Sequence, residues 1–145
     1  DALEYTPLFD EAMSLYCGRA HALFAQTGVT LGWDRLREQQ FAGLGYHSPN
    51  MDLTLRQRLP RGATGFDQES IATLILSGQF LGFLPDHYAQ SFVRDGQMRA
   101  IEPEVLRYDC EFFAITRRSP QPARATRAFQ ACLREAHDAD RSSMP

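Results

Sequence analysis

The chain has 145 residues, of which 43% are hydrophobic and 23% are charged, a mixture typical of one folded globular domain. Its formal net charge of −3 argues against this segment binding nucleic acid by itself, because nucleic-acid binders usually carry a basic face. No apolar run approaches the roughly 20 residues of a membrane span, and no secretory signal is visible at the N-terminus. Three widely spaced cysteines favour reduced thiols in a cytoplasm.

The first half of the chain alternates between strand and helix patterns. Residues 12–17 are predicted to form a strand that ends at Gly18, and Thr30 is a candidate N-cap for a short helix through Trp33 and Leu36. Residues 41–45 form a second predicted strand. Residues 51–59 then carry apolar side chains at the spacing of one helical face.

The second half repeats this alternation. A short strand at 63–66 precedes a helix that Asp67 can cap, with Ile71, Leu74 and Ile75 on its buried face and Gly78 at its end. A strand at 80–84 leads into a helix that starts at Pro85-Asp86 and stops near Gly96. The strand at 108–117 is nearly continuously apolar, which is typical of a strand covered on both faces. A last helix follows, with an apolar face of Ala125, Phe129, Cys132, Leu133 and Ala136.

Strands alternating with helices predict an α/β fold with a largely parallel sheet. In open sheets of this kind, ligands bind at the carboxyl ends of the strands, where helix N-termini present free N–H groups. Three loops fit that position: residues 46–49, 66–70 and 84–87. This argument predicts where a ligand binds and leaves its identity open.

Several segments, in order, resemble the effector-binding domain of LysR-type transcriptional regulators over nearly the whole chain. Residues 8–11 and 15–24 are similar to that family's PLxxExLxLxxxxxHPL stretch, with Ala22 where proline is usual. Residues 30–36 resemble the start of its TWxDL helix. Residues 68–85 resemble its GxGIxxLP segment, although Phe80 and Leu81 make the segment less glycine-rich. The strand ending in Arg117-Arg118 and the helix after it resemble the family's C-terminal end.

The resemblance implies a fold similar to type 2 periplasmic binding proteins, with two α/β lobes and a ligand cleft between them. It places the second lobe, a three-layer, largely parallel mixed sheet flanked by helices, at residues 1–97. A crossover and the terminal strand and helix of the first lobe follow at 98–139, and a tail at 140–145. The winged helix-turn-helix and most of the first lobe would lie outside this chain. We therefore expect exposed apolar surface around Phe112, Phe113 and Phe129, which a second copy of the chain could cover.

The same resemblance implies a cytoplasmic sensor of a small molecule, acting as a homodimer or tetramer and reaching DNA only through the missing domain. No cofactor, metal or membrane partner is expected. The predicted ligand contacts are Tyr46, His47, Ser48, Gln68, Glu69, Phe83, Leu84 and Pro85. Hydroxyl, imidazole and helix N–H groups suit the oxygens of a small, often acidic metabolite, and an aromatic ring covers its carbon atoms. Glu69 instead favours a cationic or polar ligand, or faces away. The alternative for these residues is an ordinary turn and a capped helix start.

Two other functions remain open at this stage. One is a lobe of an extracytoplasmic solute-binding protein, which shares the fold and is distinguished by the upstream sequence. The other is a small enzyme, in which His47 or His87 would act as the general base. The chain has no GxSxG, HExxH or phosphate-loop pattern, and its four histidines are not spaced as metal ligands. No catalytic residue is therefore predicted.

Overall fold

The computed structural model describes residues 2–28, 30–46 and 51–141, in which the chain forms six strands and five helices. In chain order these elements are β1 (Leu3–Gly18), α1 (Trp33–Arg37), β2 (Phe41–Leu44), α2 (Met51–Arg56), β3 (Arg61–Gly65), α3 (Gln68–Leu76), β4 (Leu81–Pro85), α4 (Asp86–Arg94), β5 (Met98–Ala100), β6 (Arg107–Arg117) and α5 (Arg124–Arg141). The chain divides into two compact units. The large unit is Ala12–Tyr108, and the small unit is Asp1–Glu11 together with Asp109–Pro145.

The sheet is mixed, as the sequence predicts. Its strands are ordered β3-β2-β4-β1-β5, and β6 pairs with β1. β2 is parallel to β3 and to β4, whereas β1 is antiparallel to β4 and to β5. β2 and β3 are each followed by a helix, which returns the chain to the same end of the sheet and makes the next strand parallel.

Side chains alternate between the two faces of the sheet and build two apolar cores in the large unit. On β1, Tyr16 lies in a core with α3 and α4, while its neighbours Leu15 and Cys17 face the opposite core with α1. The first core contains Tyr16, Ala42, Ile71, Ala72, Ile75, Leu84, Ala89 and Met98. The second contains Leu15, Cys17, Leu23, Leu31, Leu36, Phe41, Leu59, Leu81, Ile101 and Leu106. The large unit therefore has the predicted three layers.

Helix α3 has the boundaries that its sequence predicts. The Asp67 carboxylate accepts a hydrogen bond from the Ser70 backbone N–H and caps the helix, while Gly78, at φ +76°, follows its end. The end of α3 lies directly on β1, because a Cβ added at Gly18 would be 2.1 Å from the Ile75 carbonyl oxygen. Only a glycine at this position allows such an approach.

Three sequence expectations in the large unit need correction. Thr30 is not the N-cap of α1. The N-cap is Gly32, which has an extended backbone conformation and no side chain that could form a capping hydrogen bond. The strand predicted at 12–17 is the second half of the 16-residue β1. β5 was not predicted, because its three residues, Met98–Ala100, are too few to show a periodic pattern.

The small unit has an exposed aromatic surface. Phe112 and Phe113 are each 41% exposed and Phe129 is 67% exposed, which confirms the expected apolar surface. The prediction that the strand at 108–117 is covered on both faces is wrong for the same reason. Within this unit the Phe9 and Phe112 rings stack with centroids 4.7 Å apart, so part of the surface is shielded locally. Its coverage by a second copy stays a prediction.

Candidate functional site

The candidate site is the edge of the sheet where the parallel strands β2, β3 and β4 end. Leu44 and Gly65 are paired in register, and the Gly45 N–H donates a hydrogen bond to the Gly65 carbonyl oxygen at 2.8 Å. The segments that follow these strands begin at Gly45, Phe66 and Asp86. Parallel strands bring their carboxyl ends to one edge, so the three segments that the sequence singles out do start along the same edge.

The N-terminus of α3 presents an unpaired acceptor. The Asp67 carboxylate accepts a hydrogen bond from the Ser70 N–H at 2.7 Å. Hydrogen bonding with the Ser70 side chain, and with this backbone N–H, lowers the pKa of Asp67. Gln68 is the first residue of the helix, and its side-chain oxygen Oε1 is buried with no hydrogen-bond partner among the described residues. An unpaired buried oxygen is rare and costly in a native protein. Among the described residues of the predicted set, Gln68 is therefore the one with the clearest need for an external donor.

The first turns of α3 and α4 carry acidic groups. Glu69 is exposed in the first turn of α3, and Asp86 opens α4, where its carboxylate accepts a hydrogen bond from the buried Tyr16 hydroxyl at 2.9 Å. Burial, with this hydrogen bond and the charge of Asp86, raises the pKa of Tyr16. Burial also raises the pKa of Tyr88, with further contributions from the charges of Glu69 and Asp67. The first turns of α3 and α4 therefore share a negative electrostatic environment.

Aromatic rings border the same edge. Tyr46, two residues after β2, is 49% exposed, and Phe66, directly after β3, is 72% exposed. The Phe66 ring covers the backbone of Gly45, since a Cβ added there would be 2.6 Å from the Phe66 ring. Phe66 was missed as a site residue, although an aromatic residue directly after a strand was the available signal. The predicted contacts His47 and Ser48 lie outside the described residues.

The three predicted contacts at the end of β4 are mainly packing residues. Leu84 is fully buried in the core with α3 and α4, and Pro85 is buried as well. Phe83 is half-buried, and its ring lies against Tyr108 with centroids 5.1 Å apart. Of the three, Phe83 therefore has the most side-chain surface available to a ligand. A role for each in ligand contact stays a prediction.

Two histidines of the large unit, His21 and His87, have different environments, and of these two only His87 is a candidate general base. His21 is buried, and its Nδ1 accepts a hydrogen bond from the Leu23 backbone N–H at 3.2 Å. Burial lowers the pKa of His21, so the ring serves as a neutral structural acceptor. His87 is exposed in the first turn of α4. Within residues 2–28, 30–46 and 51–141, no group of three or more His, Cys, Asp and Glu side chains could hold a metal ion.

Comparisons with known proteins agree with this architecture. The sequence model of the LysR substrate binding domain matches residues 1–138. The HTH-type transcriptional activator BauR of Pseudomonas aeruginosa is 37% identical over 120 residues, which are 83% of this chain and 39% of BauR. The chain thus spans well under half the length of this relative. No helix in the described part of the chain is long and apolar enough to cross a membrane.

Two solved structures show the same fold. The regulatory domain of HypT from Salmonella typhimurium, in its apo form, superposes with a TM-score of 0.70 at 17% identity, covering 96% of this chain and 67% of that one. The regulatory domain of CcmR from Synechocystis PCC6803, in complex with 2-PG, superposes with a TM-score of 0.71 at 16% identity. That match covers 93% of this chain and 67% of the CcmR chain.

Proposed function

The chain belongs to the LysR substrate-binding domain family, and from that premise we propose that it senses a small-molecule effector for a DNA-binding transcriptional regulator. The effector site is the sheet edge where β2, β3 and β4 end. The unpaired, buried Oε1 of Gln68 is the observation that carries this assignment. The matches to regulators favour this function over the lobe of a solute-binding protein.

The acceptor chemistry of the edge selects an effector that donates hydrogen bonds. A helix N-terminus by itself attracts anions. At α3, however, Asp67 already supplies a carboxylate to the free N–H groups, and Glu69 adds a second negative charge in the first turn. Gln68 offers an oxygen that needs a donor. An effector with an ammonium or amide N–H group and an apolar part facing Phe66 and Tyr46 fits this edge, whereas a simple anion does not.

In this proposal, effector binding controls the oligomer and the DNA-binding domains of the regulator. Effector binding favours one arrangement of a homo-oligomer and so changes how attached DNA-binding domains sit on DNA. DNA is contacted through a domain outside residues 1–145, consistent with the net charge of −3 of this segment. The regulator acts in the cytoplasm, without catalysis and without a membrane partner. The match to the regulator family supports the absence of catalysis.

We also propose the lobe assignment that the resemblance implies. Residues 1–97 would correspond to the second lobe, 98–139 to the crossover and the terminal strand and helix of the first lobe, and 140–145 to a tail. The two compact units divide at Glu11/Ala12 and at Tyr108/Asp109, within β1 and β6. In this proposal β6 belongs to the crossover and terminal segment, and the part of β1 before Ala12 belongs by its contacts to the small unit.

A thermal-shift screen of the full-length regulator tests the function. Small amines and amides are compared with matched carboxylates, and a ligand at about 100 times its Kd should stabilise its domain by about 2.7 kcal/mol. Gln68→Ala should abolish the shift. Gln79→Ala is the matched control, because Gln79 is exposed beyond the opposite end of α3. A ligand that stabilises the wild type and Gln68→Ala equally would contradict the assigned site. A ligand that binds without altering affinity for DNA would contradict the sensing role.

A further inference from the structure

The small unit contains a pocket lined by four arginines. Arg117 and Arg118 lie at the end of β6, while Arg127 and Arg134 lie on α5. Together with Glu4, Gln121, Pro122 and Gln130 they surround an open cavity of about 350 Å³. None of these residues belongs to the candidate effector edge in the large unit.

Local structure explains why the four arginines line one cavity. Arg127 and Arg134 are seven residues apart, which places them on one face of α5 about 10.5 Å apart along its axis. The Arg118 N–H donates a hydrogen bond to the Ala2 carbonyl oxygen at 2.9 Å, which fixes the end of β6 beside the start of β1. Glu4, on β1, thereby lines the same cavity. One helix, α5, holds two of the arginines, and the anchored end of β6 holds the other two.

The residues that line the cavity are predominantly positive, although the whole chain is negatively charged. Four guanidinium groups face a single carboxylate, whereas the whole chain has a net charge of −3. Among the described residues, none of these four arginines forms an ion pair, whereas Arg37 pairs with Asp34. Like charges that line one cavity repel one another, so an anion that enters the cavity lowers the electrostatic energy of the arginines.

The geometry indicates a small anion with more than one charged group. Guanidinium groups bind the oxygens of carboxylate and phosphate through paired, charge-assisted hydrogen bonds. The cavity volume falls in the range of small-molecule sites. A monovalent anion neutralises one of the four positive charges, whereas two linked anionic groups neutralise more of them and accept hydrogen bonds from more than one guanidinium group. Duplex DNA needs a line of cations along a surface rather than a concave cluster in a negatively charged chain.

We propose that this arginine pocket binds a small multivalent anion bearing phosphate or carboxylate groups. The site is independent of the effector edge, which presents acceptors and acidic groups. A regulator with both sites would respond to a donor-bearing effector at one and to the concentration of a polyanion at the other.

Isothermal titration of the 145-residue chain with pyrophosphate, citrate, orthophosphate and chloride at constant ionic strength tests this inference. Pyrophosphate or citrate should bind saturably, and at least about tenfold more tightly than orthophosphate or chloride, because two groups engage the pocket. The stronger of the two distinguishes a phosphate ligand from a carboxylate ligand. Arg127→Gln with Arg134→Gln should weaken that binding by about tenfold or more.

Arg124→Gln is the matched control, because Arg124 is exposed on the same helix but does not line the cavity. It should leave the affinity unchanged. Circular dichroism melting of each variant confirms that α5 remains folded. Equal, non-saturating responses to all four anions would overturn the proposal. Undiminished binding by the double variant, or a preference for random-sequence duplex DNA over pyrophosphate, would overturn it as well.

Discussion

Replacing Gln68 with methionine should make the ligand-free chain more stable and at the same time remove effector binding. The side-chain oxygen of Gln68 is buried without a partner, so the folded state loses the hydration of that oxygen and gains no hydrogen bond in return. Methionine has a similar volume and a similar helix propensity, and it lacks the amide. The substitution therefore removes the unfavourable burial while leaving the first turn of α3 in place.

The expected gain can be worked out from the burial of one acceptor. An unsatisfied buried polar group costs about 1–3 kcal/mol, and some of this is lost to imperfect packing of the new side chain, so about 1–2 kcal/mol should remain. Unfolding entropy of about 2.1 cal/mol/K per residue gives about 0.3 kcal/mol/K for 145 residues. Gln68→Met should accordingly raise Tm by about 3–7 °C.

Urea unfolding followed by circular dichroism measures the change, and the slope m should stay constant because the same surface is exposed on unfolding. Gln79→Met provides the comparison, since an exposed substitution should stay within about 0.5 kcal/mol of the wild type. A Gln68→Met chain that is less stable than the wild type would show that the amide has a favourable partner in solution. That result would refute the reasoning and remove the main support for the effector edge.

Two further predictions concern the scaffold of the site. Gly18→Ala should lower the free energy of unfolding by about 3 kcal/mol or more, because the added methyl group would lie 2.1 Å from the Ile75 carbonyl oxygen. In the control Gly43→Ala, the methyl group meets only the side chain of Arg61, so its free energy of unfolding in denaturant melts should be nearly unchanged. Tyr16 has a raised pKa in the folded state, so its contribution to stability is present below about pH 10 and is lost as the pH rises further. Tyr16→Phe should cost about 1 kcal/mol at pH 7, because Asp86 loses its donor, and should reduce the loss of unfolding free energy as the pH rises above about 10. Equal alkaline losses in both chains would contradict the assigned pKa shift.

Sequence patterns predicted the elements that carry strong local signals. The Asp67 cap, the buried stripe with Ile71 and Ile75 and the terminal Gly78 all agree with one helix, and the structure confirms it. The mixed sheet and the three layers followed from the alternation of strands and helices together with the resemblance to the regulator family. Local propensity and tertiary packing point the same way in these segments, which makes such predictions reliable.

Other features depend on contacts that sequence does not reveal. Leu84 and Pro85 come at the end of a strand, where a ligand site was expected, yet alternation turns the Leu84 side chain into the core with α3. The apolar run at Phe112 and Phe113 is typical of a doubly covered strand, but the small unit leaves both rings 41% exposed. Periodicity shows that a side chain is apolar without showing what covers it.

The arginine pocket was also invisible to sequence reasoning, for a different reason. In the sequence, Arg117 and Arg118 belong to a segment that resembles the regulator family. Arg127 and Arg134 belong to a helix whose pattern indicates only its apolar face. Their convergence depends on the end of β6 being held beside β1 and on the pitch of α5. Charge scattered along a sequence can therefore become a compact site once two elements fix its members.

The position of α3 connects the core of the large unit to the candidate effector edge. Its C-terminal turn lies on the backbone of Gly18, and Ile71 and Ile75 lie against Gly82 of β4. These contacts leave little room for the helix to slide, since a shift of a few tenths of an ångström brings atoms into overlap. The first residue of that helix is Gln68, so its unpaired oxygen is held by a rigid element rather than by a loop. A donor that binds this oxygen would therefore meet a preformed acceptor, because the oxygen is buried and the helix that carries it is fixed against β1 and β4.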